Sequence, residues 1–378
     1  MPSLNVLMVL SDGYGGFGGI AKFNRDFLEA LDASPLVQRV HALPRLIPDP
    51  IGEIMPEAVV YDRRAARGKI AFMQRLGSHL WARQQIDLVV CGHINLLPAA
   101  WLFAYAQSAR LALIIHGLEA WTARTTWGNR LAPTVNSVIA VSRYSAEKFS
   151  AWSKTPAERI VILPNCVDLD HFRPGRRDPQ LLERYSLKSS KVIMTVGRLG
   201  YHERYKGFDE VIEALPPLIG VFPNLRYMIV GDGPDRKRLE IKAKTYGVSD
   251  CVVFTGQIPE SEKVAHYNLA DAYVMPSSGE GFGIVLIEAA ACGIPIVGSG
   301  IDGSREALLN GRLGRLVRPD NRSELVAAVT ELLLQETQHK RIDAIDAFST
   351  ENFRIKVADW LKQQLPGQMP CPGQGAAA

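Results

Sequence analysis

At 378 residues, 47 % hydrophobic and 22 % charged, the chain has the composition of a soluble globular protein and the length of two domains. No apolar run reaches the roughly 20 residues of a membrane span, and a formal net charge of +4 is too small for a nucleic-acid-binding protein. The excess is lodged in one half: residues 1–175 carry 18 basic and 14 acidic side chains, whereas residues 176–378 carry 25 of each.

The first residues, MPSLNVLMVLSDG, lack a basic region and run from an apolar stretch into a turn, so no signal peptide is expected. The five cysteines (Cys91, Cys166, Cys251, Cys292, Cys371) lack metal-ligand spacing and read as reduced thiols of a cytosolic protein. Short β-branched runs at 4–10, 37–43, 86–91, 110–116, 137–142 and 159–164 predict strands separated by helical stretches. A connector rich in Pro, Gly and Arg, FRPGRRDPQ (172–180), marks a boundary. A second series of strands follows at 191–197, 225–231, 251–256, 271–276 and 294–299, with helices over 205–220 and 235–246 between them.

Strands apolar on both faces, alternating with helices, predict parallel sheets covered on both sides. Two such series predict two doubly wound α/β domains in tandem, facing across a cleft. The expected division is 1–172, a linker at 173–188, a second domain at 189–350, an amphipathic helix at 351–365 returning to the first domain, and a disordered tail at 366–378. Ligands of open α/β sheets bind beyond the carboxyl ends of the strands. Motifs at those ends therefore carry the functional reading.

The first strand runs into SDGYGGFGGIAKF. Gly13, Gly15 and Gly18 fit the G-x-G-x-x-G fingerprint of dinucleotide binding. That fingerprint needs an acid after the second strand; VHALPR (40–45) has none, leaving Arg45 as a candidate for a phosphorylated ribose. A tight turn, or a loop whose amides approach a phosphate or sugar, fits the glycines equally well. Residues 63–85, RRAARGKIAFMQRLGSHLWARQQ, contain Arg63, Arg64, Arg67, Lys69, Arg75 and Arg83 and no acid. Ile70, Met73, Leu80 and Trp81 recur near helical spacing, with Phe72 and Leu76 alongside. The segment reads either as a helix packing its apolar face on the first domain or as one lying on an anionic membrane. His116 ends the 110–116 strand, where an imidazole can bond a ligand hydroxyl or a backbone carbonyl.

In the second series, VGRLGYHERYKGF places Arg198 just after a strand and Lys206 eight residues on, flanked by Gly197 and Gly207. A planar donor fork with a mobile point charge suits a diphosphate. Gly231-Asp232-Gly233-Pro234 reads as a turn with a possible contact to a base or ribose. Residues 277–300, SSGEGFGIVLIEAAACGIPIVGSG, place Gly279, Gly281 and Gly283 in a loop and start a helix near Ile284. The free amides and dipole at such a start favour an anion. Glu280 and Glu288, if most of this segment is helical, lie ~12 Å apart along the axis with phases differing by ~80°, so both can face one ligand. Carboxylates accept from hydroxyls, and the arrangement suits a sugar, a diphosphate and a ribose in that order. Structural alternatives are a helix N-terminal charge for Glu280 and a buried salt bridge for Glu288.

The stretch Pro276–Ser299 closely resembles the E-x7-E motif of retaining glycosyltransferases of the GT-B fold, family 4. GGIAKF resembles the family's N-terminal glycine loop, HGLEAW its central His segment, VSRYSAEKF the strand-helix step after it, and PNCVDLDHFRP its interdomain segment. VGRL, YKGF and IVGDGP follow in the family's donor-domain order, so the likeness spans roughly 1–362. It implies two Rossmann-like domains, with acceptor binding mainly in the first and nucleotide-sugar binding mainly in the second. It further implies that Arg198 and Lys206 hold the diphosphate, that Glu288 holds the ribose and that Glu280 meets the transferred sugar. Gly281, Phe282 and Gly283 would line that sugar, Ile284 and Val285 would offer amides to phosphate, and Gly231 would sit near the donor. His116 would hydrogen-bond the sugar, the loop at Gly16, Gly18 and Gly19 would approach donor and acceptor, and His93 is an acceptor-pocket candidate.

Cys166 stands where the family commonly has Gly, and the upstream His-x-His type sequence is reduced to Gly92-His93. Asp168-Leu169-Asp170 spells the metal-binding D-x-D of the other glycosyltransferase fold, but it falls in the connector, and basic residues already supply positive charge. No metal and no cofactor is expected beyond a nucleotide diphosphate sugar as donor. The expectation is a retaining hexosyltransferase acting on a saccharide or lipid-linked acceptor in polysaccharide or glycoconjugate biosynthesis. It would be cytoplasmic, docking peripherally on the membrane's cytosolic face through 63–85, with no nucleic-acid partner. The competing readings are a nucleotide-sugar epimerase or hydrolase of the same fold, a nicotinamide-dependent oxidoreductase and a non-enzymatic sugar-binding module.

Overall fold

The computed structural model describes residues 3–52, 54–82, 85–123, 126–335 and 339–365, and the tail expected at 366–378 lies outside the described residues. The chain divides into two compact units, one made of residues up to Cys166 together with those from Thr350, the other of Val167–Ser349. Each is built on one all-parallel sheet.

The first unit contains β1 (Leu4–Leu10), β2 (Val37–Pro44), β3 (Val59–Tyr61), β4 (Leu88–Cys91), β5 (Arg110–Ile115), β6 (Ser137–Ala140) and β7 (Ile160–Ile162), in spatial order β3-β2-β1-β4-β5-β6-β7. At its centre Val9 lies between Leu43 of β2 and Cys91 of β4. Leu113 of β5, Phe72 and Leu76 of the helix Lys69–Trp81, and Phe103 of the helix Leu97–Gln107 share one buried cluster. The helix Gly18–Asp32 buries Ala21, Phe23, Phe27 and Leu31, spaced to make one apolar face. Against that face lies the C-terminal helix Thr350–Gln364: Phe353 meets Phe23 edge-on at 5.6 Å, Trp360 lies 5.6 Å from Phe27, and the Trp360 indole donates to Ser137 Oγ at 3.0 Å. The amphipathic C-terminal helix thus belongs to the first unit.

The second unit contains β8 (Lys191–Val196), β9 (Leu225–Val230), β10 (Val252–Gly256), β11 (Ala272–Met275), β12 (Ile296–Ser299) and β13 (Arg315–Val317), ordered β10-β9-β8-β11-β12-β13. Ile193 of β8 pairs with Tyr227 of β9 and with Ala272 of β11. In both sheets the strand order reverses at one place, between β1 and β4 and between β8 and β11. A doubly wound sheet opens its binding crevice beyond the strand ends at such a reversal.

Three features depart from the sequence expectation. The short strands β3 and β13, three residues each, were not anticipated. The division falls at Val167, because the Val167 amide donates to Phe348 O and Phe172 packs against Tyr267, both in the second unit. Residues 63–85 are not one helix: a 3-10 turn, Arg63–Arg67, is separated by Gly68 from the helix Lys69–Trp81. Arg75 there is paired with Asp62 at 2.5 Å.

Candidate functional site

In the second unit the residues following β8 and β11 are stitched into one structure. The Ser278 amide donates to Tyr205 O at 2.7 Å, and the backbone at Gly207 approaches Pro276 so closely that a Cβ would stand 2.7 Å from the Pro276 oxygen. Gly207 also has φ +87°, a conformation that costs an L side chain. These contacts bring the basic loop (198–207) against the acidic one (276–283). Lys206 Nζ lies 4.0 Å from Glu280 and 3.3 Å from Glu203 Oε2. Arg198 donates to Glu203 Oε1 from Nε at 2.7 Å and again from Nη2. Burial raises the Glu203 carboxyl, but Arg198 and Lys206 outweigh it and hold the group below the usual carboxylate range.

Glu280 precedes the helix Ile284–Ala291, because Gly283, at φ +91°, ends the loop and no side chain caps the helix start. The helical-phase relation expected between Glu280 and Glu288 is therefore absent: only Glu288 is on the helix. Glu280 is held through its backbone. Its amide donates to Asp302 Oδ2 at 2.8 Å, and its carbonyl accepts from Gly303 at 2.9 Å. Gly303 is obligatory there, since a Cβ would stand 2.1 Å from Gly281 O. Asp302 is itself buried and accepts from Ser277 Oγ (2.8 Å) and the Ser304 amide (3.0 Å). Burial raises the Glu280 carboxyl above its ordinary value; Asp302 and Glu203 add to the rise and Lys206 opposes it.

Glu288 is 2 % exposed, and both of its oxygens are taken: Lys263 Nζ donates to Oε1 and the Tyr267 hydroxyl to Oε2, each at 2.8 Å. The salt-bridge alternative describes this carboxylate, and a ribose hydroxyl would have to bond beside two existing donors. Phe282 does not offer its ring to a ligand, because the ring is buried edge-on against Phe348 at 5.4 Å. Gly281 and Gly283 flank it in the loop, and Ile284 and Val285 form the helix's first residues. Gly231 lies at the end of β9, its amide donating to Gly256 O.

The first unit places its candidates at its own reversal point. The glycine loop follows β1 and is fastened by the helix it leads into: Arg25 donates to Gly13 O and to Gly16 O, both at 2.9 Å, and Asn24 to Asp12 O at 2.8 Å. Gly18 and Gly19 open that helix, whose start has no side-chain cap. Gly92-His93 follows β4, and the His93 Nδ1 accepts from the Asn95 amide. His116, just past β5, sits 3.0 Å from Gly92 O through Nε2. A carbonyl only accepts, so Nε2 carries the proton and Nδ1 is left as an acceptor. Burial lowers the His116 pKa, which keeps the ring neutral. The Glu119 carboxylate accepts from the His116 and Gly117 amides and fixes the turn.

Sequence reasoning missed Glu203, Asp302, Lys263, Arg25 and Asn24. Glu203 was visible as an acid inside a basic loop; Asp302 follows β12 and adjoins a glycine. Lys263 gains its role from Glu288 on another helix, and Arg25 and Asn24 from carbonyls of the loop that precedes their own helix. Asp168 Oδ1 accepts from the amides of Asp170 and His171, which makes a turn. Among the described residues no group of three or more His, Cys, Asp or Glu side chains is placed to hold a metal.

Two parallel doubly wound units with candidate residues beyond their strand ends have the architecture that the GT-B resemblance implies. Residues 182–346 match the family model of group 1 glycosyl transferases, and residues 17–171 match that of glycosyltransferase family 4. The GDP-mannose-dependent alpha-(1-6)-phosphatidylinositol monomannoside mannosyltransferase of Mycolicibacterium smegmatis is 34 % identical over 309 residues, 76 % of this chain and 75 % of the relative. The chain belongs to this glycosyltransferase family. Among solved structures, HepE of Anabaena, in complex with UDP and glucose, superposes with a TM-score of 0.73 at 18 % identity, covering 95 % of this chain and 99 % of that one. Sucrose-phosphate synthase of Thermosynechococcus elongatus gives 0.74 at 19 % identity, covering 95 % and 98 %. These structural likenesses concern the fold.

Proposed function

We propose that the protein is a retaining hexosyltransferase that moves a hexose from a nucleoside diphosphate sugar to a saccharide or lipid-linked saccharide. The second unit would bind the donor and the first the acceptor. The observation that carries this reading is the convergence of Arg198, Lys206 and the uncapped start of helix Ile284–Ala291 beside the Glu280 carboxylate. The cations and helix amides would stabilise charge developing on the departing phosphate, where preorganised donors contribute most. Glu280 would accept from the sugar's hydroxyls, and His116 Nδ1 would accept from another. With no carboxylate placed as a nucleophile in this reading, attack would come from the face the leaving group departs, its phosphate oxygen taking the acceptor's proton.

The GDP-mannose dependence of the Mycolicibacterium relative supports a nucleotide-sugar donor, and its phosphatidylinositol monomannoside acceptor supports a lipid-linked one. We place the reaction in the cytoplasm, at a membrane surface. The test is incubation with labelled GDP-mannose and UDP-glucose, with and without saccharide and lipid-linked acceptors, in chelator. Acceptor-dependent transfer with the donor's anomeric configuration kept is expected. Free sugar or epimer from donor alone would favour the epimerase or hydrolase, and strict manganese dependence would return Asp168 and Asp170 to the site.

A further inference from the structure

Glu203 occupies the place that the proposed function gives to a diphosphate. One carboxylate receives two guanidinium donors from Arg198 and lies 3.3 Å from the Lys206 ammonium, so both cations are spent on it. Both Arg198 donors meet the one oxygen Oε1 while Lys206 faces Oε2, so the carboxylate divides its oxygens between two cations, as the oxygens of a diphosphate can. The Glu203 side chain is only 14 % exposed. Glu280 stands 4.0 Å from Lys206, and Asp302, which follows β12, holds the Glu280 amide. Arg204, the loop's third cation, is turned toward Asp235 at 3.9 Å, so a diphosphate that uses Arg198 and Lys206 has to take them from Glu203.

We propose that Glu203 is an internal counter-anion that holds Arg198 and Lys206 in the empty protein and is displaced by the donor's diphosphate. This rests on reading those cations as the diphosphate site. The local backbone suits displacement. The Glu203 amide closes a turn to Gly200 O at 2.9 Å, and the carboxylate arm lies over Gly200, where a Cβ would stand 3.3 Å from Glu203 Cγ. Tyr201 and His202 beside it are exposed, so a short rotation carries the carboxylate to water. In the empty state the arrangement keeps the cations ordered, and after transfer it competes with the nucleoside diphosphate product and hastens its release.

Titration calorimetry of the full chain with UDP, GDP, ADP and inorganic pyrophosphate tests this. Glu203→Gln keeps the shape and removes the charge; it is expected to bind its nucleoside diphosphate and pyrophosphate roughly ten- to a hundredfold more tightly than wild type. Turnover should fall where product release limits it. Glu203→Asp keeps the charge on a shorter arm and should lie between. Equal or weaker binding by a folded Glu203→Gln would overturn the proposal, since a residue that merely positions the cations loses affinity when neutralised. If no nucleoside diphosphate binds but pyrophosphate still binds more tightly to the variant, the counter-anion stands and the nucleotide-sugar reading falls. If neither ligand binds either protein, both fall.

Discussion

Two carboxylates eight residues apart, Glu280 and Glu288, have different work because they have different neighbours. Glu280 faces Lys206 across 4.0 Å and is otherwise fixed by its backbone, which leaves its oxygens for a ligand. If Arg198 and Lys206 hold the leaving phosphate as proposed, replacing either by Ala should drop kcat/KM by roughly 10²–10³-fold with the fold intact; steady-state kinetics beside a melting curve checks both halves. Glu288 is different, being half of a buried ion pair. Lys263→Met would strand its carboxylate and should cost about 3–5 kcal/mol, read from urea unfolding. Pairing it with Glu288→Leu should recover most of that stability, because two apolar side chains replace two buried charges. Donor affinity separates the roles: if Glu288 also holds the ribose, the stable double variant still binds donor weakly, and full recovery of affinity would confine Glu288 to structure.

At the scale of elements, the helix Lys69–Trp81 is fastened to β2 through an unusual contact, His79 on His41, rings 4.9 Å apart and both buried. Burial lowers both imidazoles, each lies near a cation (Arg39 for His41, Arg75 for His79), and Asp62 opposes the shift in both; His41 is pushed down to about 4. Between pH 6.5 and 4 the unfolded chain binds a proton at His41 that the folded chain refuses, so stability falls as pH falls through that window. Urea midpoints measured from pH 7 to pH 4.5 should show this slope, and His41→Gln should flatten it; an unchanged slope would remove the pair as its source. The element pattern itself was legible where strands are central, since LNVLMVL or LRYMIV must be buried on both faces. It failed at the three-residue edge strands β3 (VVY) and β13 (RLV), whose apolar runs stop at Asp62 and Arg318, whereas β7, equally short and also at an edge, was legible because IVI runs on into Leu163. The candidate site was legible where Gly and charge cluster, as at 197–207 and 279–283. It was illegible for Lys263, whose partner Glu288 comes from another helix, and for Arg25, whose bonds to Gly13 O and Gly16 O depend on how the loop folds back on its own helix.

On the scale of the whole molecule, the positive excess falls in the unit that carries the most exposed aromatic side chain among the described residues, Trp81. The helix Lys69–Trp81 turns Phe72 and Leu76 to the core and leaves Ile70 (75 % exposed), Met73, Leu80 and Trp81 (89 %) outside. The packing and surface-binding readings of this segment thus use opposite faces of one helix. The neighbouring helix Leu97–Gln107 carries no charged residue, and it exposes Leu102 and Tyr105, the latter stacked on Trp101. Beside them the turn Arg63–Arg67 and Lys69 supply cations with no acid in between. No helix among the described residues is long and apolar enough to cross a membrane. Aromatic and aliphatic side chains rimmed by cations suit the interface of an anionic bilayer, where each cation near the surface contributes ~1 kcal/mol. The protein should therefore co-sediment with phosphatidylglycerol-containing vesicles, bind neutral phosphatidylcholine far less, and come off as salt rises. Reversing Arg63, Arg64 and Arg67 to Glu should weaken binding by at least roughly a hundredfold at three such contributions, and Trp81→Ser should weaken it without changing the salt dependence. Equal partitioning to neutral and anionic vesicles, indifferent to the three reversals, would leave this apolar face to some other partner, and self-association in sedimentation velocity would make that partner a second copy of the chain.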